Sequence, residues 1–121
     1  MTGQTILVVD DDPSLLNVLE LLLSMENYTV LVARNGEEGV TLAKRHRPRL
    51  ILMDIIMPEM NGHMAMTLLK SDTATKNIPI ILLTATAQMA GNISVDQHAV
   101  HTIHKPFEPE ELINKIQEIL G

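Results

Sequence analysis

One pattern repeats along this chain. A short apolar run stops at a polar residue, and a stretch with apolar residues at helical spacing follows. Residues 6–9 run into Asp10, Asp11 and Asp12. Residues 50–53 run into Asp54, and residues 80–83 into Thr84. The segment around Ile103 leads to Lys105 and Pro106. Runs that are apolar at every position, rather than at alternate ones, suit strands buried on both faces, and such strands belong to parallel sheets. Parallel neighbours need long crossovers, which are usually helices. The alternation therefore predicts an α/β domain with a parallel sheet and helices on both faces.

The punctuation between runs fits. Residues 5–9 read as the first strand. Asp12 is placed to cap a helix that Pro13 opens, and Leu15, Leu19 and Leu22, with Leu16 and Leu23 beside them, give it an apolar stripe. A second strand is expected over 28–33. Asn35 caps a second helix, which Arg47 and Pro48 end because the residue before proline avoids the helical region. The third strand covers 50–54 and a loop covers 55–61. A third helix follows over 63–70, then a polar connector over 71–77. The fourth strand is 79–84, its proline tolerated at the first residue. The fifth is 100–104. A terminal helix over 107–120 starts near Pro109, with Glu110 and Glu111 favoured there by the helix dipole. Its stripe is Leu112, Ile116 and Ile119, flanked by Ile113 and Leu120. Segment 87–99 should supply a further helix, but Gly91, Asn92, Ile93, Ser94, Val95 and Asp96 oppose it. Glycine alone costs about 1 kcal/mol against alanine, so a short, late-starting or irregular helix is expected.

Five strands in series favour the doubly wound order 2-1-3-4-5, which sets the first and third strands side by side and makes Asp11 and Asp54 neighbours. In such sheets ligands bind at the carboxyl ends of the strands. There the chain delivers carboxylates, a hydroxyl and an ammonium to one rim, a set suited to a divalent cation together with a phosphoryl group. Two carboxylates about 4 Å apart repel by roughly 4 kcal/mol at an effective dielectric of 20. A cation removes that repulsion and stabilises charge on transferring oxygens.

Composition narrows the rest. A length of 121 residues suits one domain, residues 1–121, and 45% hydrophobic content suits a packed core. With no cysteines there are neither disulfides nor thiolate metal sites. The first residues form neither a signal peptide nor a membrane span, and a cytoplasmic location is expected. A net charge of −6 repels nucleic-acid backbones, and Tyr28 and Phe107 are too few aromatics for base stacking. Direct binding to nucleic acid or membrane is not expected.

The stretches ILVVDDDP at 6–13, LILMDIIMPEMNG at 50–62, PIILLTA at 79–85 and HKPF at 104–107 occur in this order and span nearly the whole chain. Together they resemble the receiver domain of two-component response regulators, which implies a flavodoxin-like fold. The resemblance makes Asp54 the phosphoacceptor, attacking a phosphohistidine on a histidine kinase or phosphotransfer protein. It makes Asp11 a direct metal ligand, Asp10 the neighbouring acid that often acts through water, and the Ile56 carbonyl a third protein ligand, with Mg²⁺ as the metal. Lys105 and Thr84 would bind phosphoryl oxygens, small Ala85 would leave room for them, and Lys105–Pro106 is a candidate cis bond. Such a domain is a signalling module, not an enzyme beyond its own phosphorylation and dephosphorylation. It passes the signal to an effector protein or output domain. None is expected within the chain, which acts alone, relays phosphate, or is a piece of a larger regulator.

Two features depart from the family pattern. Thr102 stands where the family usually has an aromatic residue that couples to the threonine of the fourth strand, so Thr84 and Thr102 form an altered switch. Residues 97–101 also differ from the usual small and acidic stretch. A phosphorylation-independent interaction domain is the alternative these departures suggest. A phosphatase with an aspartate nucleophile would need a second acid where Ile56 stands. A nucleotide-binding domain would need a phosphate loop in place of Asp10-Asp11-Asp12-Pro13. Asp12 reads as a helix cap rather than a third ligand, and the methionines as packing. His98, His101 and His104, spaced by three, cross from a doubtful helix into a strand, which scatters the rings and argues against zinc.

Overall fold

The structure of the chain is a computed structural model, which describes residues 4–54, 62–84, 100–104 and 107–120. In chain order the elements are β1 (Thr5–Val9), α1 (Pro13–Met25), β2 (Thr29–Ala33), α2 (Gly36–His46), β3 (Leu50–Asp54), α3 (Gly62–Ser71), β4 (Ile80–Thr84), β5 (Val100–His104) and α4 (Pro109–Leu120). The strands form one parallel sheet in the order β2-β1-β3-β4-β5, as the sequence led us to expect. The expected loop over 55–61 and helix over 87–99 lie outside the described residues.

Alternation along the central strands divides the core into two layers. Leu7, Val9, Ile51, Met53, Ile80 and Leu82 face Val40 and Ala43 of α2 and Ala65, Met66 and Leu69 of α3. Ile6, Val8, Leu50, Leu52, Ile81 and Leu83 face Leu16, Leu19 and Leu23 of α1 and Leu112 and Ile116 of α4. Helices therefore cover both faces, which is why the central runs are apolar at every position.

The buried line of α1 is Leu16, Leu19 and Leu23, while Leu15 and Leu22 are half-buried. This rotates the helix from the expected stripe. The leucines at 15, 16, 19, 21, 22 and 23 define the helix clearly but its phase poorly. Val18, Leu21 and Met25 consequently face solvent. In α4, Leu112 and Ile116 are buried as expected, with Ile113, Ile119 and Leu120 packed beside them.

The helix ends follow local chemistry. The Asp12 carboxylate accepts from the Ser14 N–H at 3.0 Å and Pro13 occupies the first turn of α1. Asn35 caps α2 by accepting from the Glu38 N–H at 2.8 Å. At the other end of α2, Arg47 takes a left-handed conformation (φ 47°), and its N–H donates to the Ala43 carbonyl. Pro48 follows immediately, so the chain could not continue as helix.

The polar connector is an ordered turn. The Lys70 ammonium donates to the carbonyls of Lys76 and Ile78 at 3.0 and 2.9 Å. The buried Thr75 hydroxyl donates to the Leu69 carbonyl at 2.7 Å. Asp72 accepts from the Ala74 N–H and pairs with Lys44 at 3.5 Å. Burial of the Lys70 side chain holds its pKa below the ordinary lysine value.

Gly39 marks the closest approach of α2 to the sheet: a Cβ there would lie 2.8 Å from Val9 Cγ2. Val9 is fully buried and cannot retreat freely. Gly39→Ala gains up to about 1 kcal/mol of helix propensity against roughly 1–3 kcal/mol of overpacking. We expect a net loss of about 1 kcal/mol, read as a lower urea midpoint. A midpoint at or above wild type would show that the contact relaxes without cost.

Candidate functional site

The site follows from register. Val9 of β1 pairs with Met53 of β3, so Asp10 and Asp54 come level at the carboxyl edge of the sheet. The Asp10 N–H donates to the Ala33 carbonyl at 3.1 Å, which carries the β1–β2 pairing one step past the strand. Asp10 Oδ1 accepts from the Asp12 N–H at 3.0 Å. Its side chain is 1% exposed, a carboxylate set into the floor of the edge. Asp11 is exposed and Asp54 is half-buried.

One carboxylate oxygen from each of Asp10, Asp11 and Asp54 lies within 4.8 Å of the other two. At such separations each pair repels by roughly 4 kcal/mol at an effective dielectric of 20, less where Asp11 meets water. The donor set fits a hard divalent cation: it is oxygen only, anionic, and open to water on the Asp11 side. Asp12 stands apart from the cluster and caps α1, as expected.

The other expected site residues are placed less completely. Thr84 is the last residue of β4, one position beyond the Leu83 that pairs with Asp54, so its backbone borders the cluster. Thr102 lies in β5 opposite Leu82 and is half-buried. Ile56, Ala85, Lys105 and the Lys105–Pro106 bond lie outside the described residues. His101 falls in strand β5, where a spacing of three does not keep residues on one face. Burial, followed by the charge of Lys115, holds its pKa below the usual histidine value. Glu118 opposes that shift and Lys70 adds to it. The acceptor role of Ala33 was invisible in the sequence, because a backbone carbonyl leaves no side-chain signature.

Comparison with known proteins points to one family. The family model described as the response regulator receiver domain matches residues 6–117. Protein PilH of Pseudomonas aeruginosa is 37% identical over 117 residues, covering 96% of this chain and 97% of that protein. A probable transcriptional regulator ycf27 of Porphyridium aerugineum is 36% identical over 121 residues, but this chain spans only 49% of its length. Among solved structures, the receiver domain of a Pseudomonas aeruginosa sensor histidine kinase, with a magnesium ion coordinated in its active-site cleft, superposes with a TM-score of 0.90. It is 31% identical, with 99% of this chain and 100% of that chain covered. Sequence and fold agree over nearly the full length, and the chain belongs to the response regulator receiver domains, the phosphoacceptor signalling modules of two-component systems.

Proposed function

We propose that residues 1–121 form one receiver domain in which Asp54 accepts a phosphoryl group from a phosphohistidine on a histidine kinase or phosphotransfer protein. The observation that carries this reading is the gathering of Asp10, Asp11 and Asp54 oxygens within 4.8 Å at the carboxyl edge of the sheet. An Asp54 carboxylate oxygen attacks phosphorus in line as the P–N bond breaks. The phosphoryl group ends on Asp54 as an acyl phosphate, and the imidazole departs with the bonding electron pair and takes up a proton. Bound Mg²⁺ would neutralise charge on the transferring oxygens. Asp10, Asp11, Asp54 and the Ile56 carbonyl would hold it. Asp11, the exposed acid, serves the water-facing side, while Asp10 is oriented from below by the Asp12 N–H.

Lys105 pairs with one phosphoryl oxygen, and the Thr84 hydroxyl donates to another, in the same proposal. Transfer and later hydrolysis are the only reactions the domain catalyses, both on itself. The signal leaves as altered binding to an effector or output domain, in the cytoplasm. Among the described residues no helix is long and apolar enough to cross a membrane. Thr102 is too small to swing as an aromatic side chain would, so the switch at Thr84 operates without that partner.

The metal reading has a direct test. Adding about ten times the dissociation constant of Mg²⁺ should stabilise the native state by roughly 1.4 kcal/mol, because only the folded pocket binds it. The melting temperature of wild type should rise, that of Asp11→Ala should not, and a beryllofluoride mimic should add a further shift only when Asp54 is present. An identical response from Asp11→Ala would count against the pocket.

A further inference from the structure

The β2–α2 turn carries a contact that ordinary helix capping does not require. In the usual reciprocal cap, the third residue of the helix reaches back to the N–H of the capping residue itself. Here the cap is Asn35, yet the Glu38 carboxylate reaches one residue further and accepts from the Arg34 N–H at 2.7 Å. That N–H belongs to the same planar peptide unit as the Ala33 carbonyl, and the Ala33 carbonyl accepts from the Asp10 N–H at 3.1 Å. The sequence of contacts is therefore Glu38 carboxylate, one rigid peptide, Asp10 backbone. A charged acceptor at one end of a peptide polarises it and strengthens the carbonyl at the other. A second contact acts from the same helix on the residue before Asp10, since Gly39 lies directly against Val9.

We propose that Glu38 is a positioning residue for the metal pocket: through the Ala33–Arg34 peptide it fixes the backbone of Asp10, and hence where the Asp10 carboxylate stands. Glu38 lies outside the acidic cluster and is exposed, so its substitution leaves the core intact. The inference rests on Mg²⁺ binding at Asp10, Asp11 and Asp54.

Two variants separate position from charge. Glu38→Gln keeps a side-chain oxygen that accepts from the Arg34 N–H and removes the charge, whereas Glu38→Ala removes both. Mg²⁺ affinity is measured by calorimetry on the full chain, and the Asp10 amide proton is followed by NMR without metal. We expect Glu38→Ala to weaken Mg²⁺ binding about fivefold. This is less than the roughly 10–100-fold typical of groups that hydrogen-bond a metal ligand directly, because a peptide intervenes. Its Asp10 amide proton should move upfield as the bond to Ala33 loosens, and Glu38→Gln should restore most of both. Equal weakening in the two variants with the Asp10 amide proton unmoved would reduce Glu38 to a distant charge and overturn the proposal, as would wild-type affinity in Glu38→Ala. Wild-type protein that binds no Mg²⁺ would overturn the metal reading and this inference together.

Discussion

Asp54→Asn should abolish labelling by acetyl phosphate or a phosphohistidine donor while making the metal-free protein more stable. The first outcome follows from the chemistry, since an amide nitrogen or oxygen does not replace a carboxylate as a phosphoryl acceptor. The second follows from crowding: three carboxylate oxygens lie within 4.8 Å of one another. Neutralising one of them removes repulsion from both neighbours. At an effective dielectric of 20 each pair is worth roughly 4 kcal/mol at 4 Å. Asp11 is exposed and Asp54 only half-buried, so screening cuts that figure heavily. We expect a gain of about 1–2 kcal/mol in chelator, or roughly 3–8 °C in melting temperature for a domain of this size. Scanning calorimetry in EDTA and a phosphate-affinity gel read the two effects separately. Labelling at the wild-type level would place the acceptor elsewhere, and an unchanged melting temperature would mean that the apo cluster is not under electrostatic strain.

Leu52→Ala should rank among the costliest single truncations in the domain. Leu52 is 0% exposed in the central strand β3, among the leucines and isoleucines that meet α1 and α4. Loss of a fully buried leucine side chain costs about 2–5 kcal/mol, the spread reflecting how far the surroundings collapse into the cavity. Against a total stability of roughly 5–15 kcal/mol, this is a large share. The comparison is Leu21→Ala on the outer side of α1, where the side chain is 63% exposed. That change should stay within about 0.5 kcal/mol. Urea unfolding followed by circular dichroism measures both, and an unchanged slope would confirm that stability alone has altered. A loss at Leu21 equal to that at Leu52 would contradict the assignment of Leu21 to the outer face of α1.

That assignment shows where sequence reasoning ran short. The strands were legible because their central runs are apolar at every position, which only burial on both faces explains, and the strand order then brought distant aspartates together. Asp12, Pro13, Asn35 and Pro109 marked helix starts through chemistry that acts within a few residues. The orientation of α1 was not legible, because leucines at 15, 16, 19, 21, 22 and 23 permit several buried lines and tertiary packing selects one. The order of the 71–77 connector was equally hidden, since its polar residues read only as a connector until Lys70 and Thr75 are seen turned inward on carbonyls. At the site, Asp10, Asp11 and Asp54 were found from their positions after apolar runs. Ala33 and Glu38 were not, because they act through a backbone peptide and no spacing rule marks them.

The lysine-fastened turn between α3 and β4 has a mechanical consequence. It grips β4 at its entry, where the Ile78 carbonyl is held and the Pro79 carbonyl accepts from the Ile51 N–H. The exit of the same strand, at Thr84, borders the acidic cluster. Pairing with β3 on one side and β5 on the other continues this hold along the strand, so Thr84 stands at the end of a fully anchored strand and its backbone offers the acidic cluster a fixed edge.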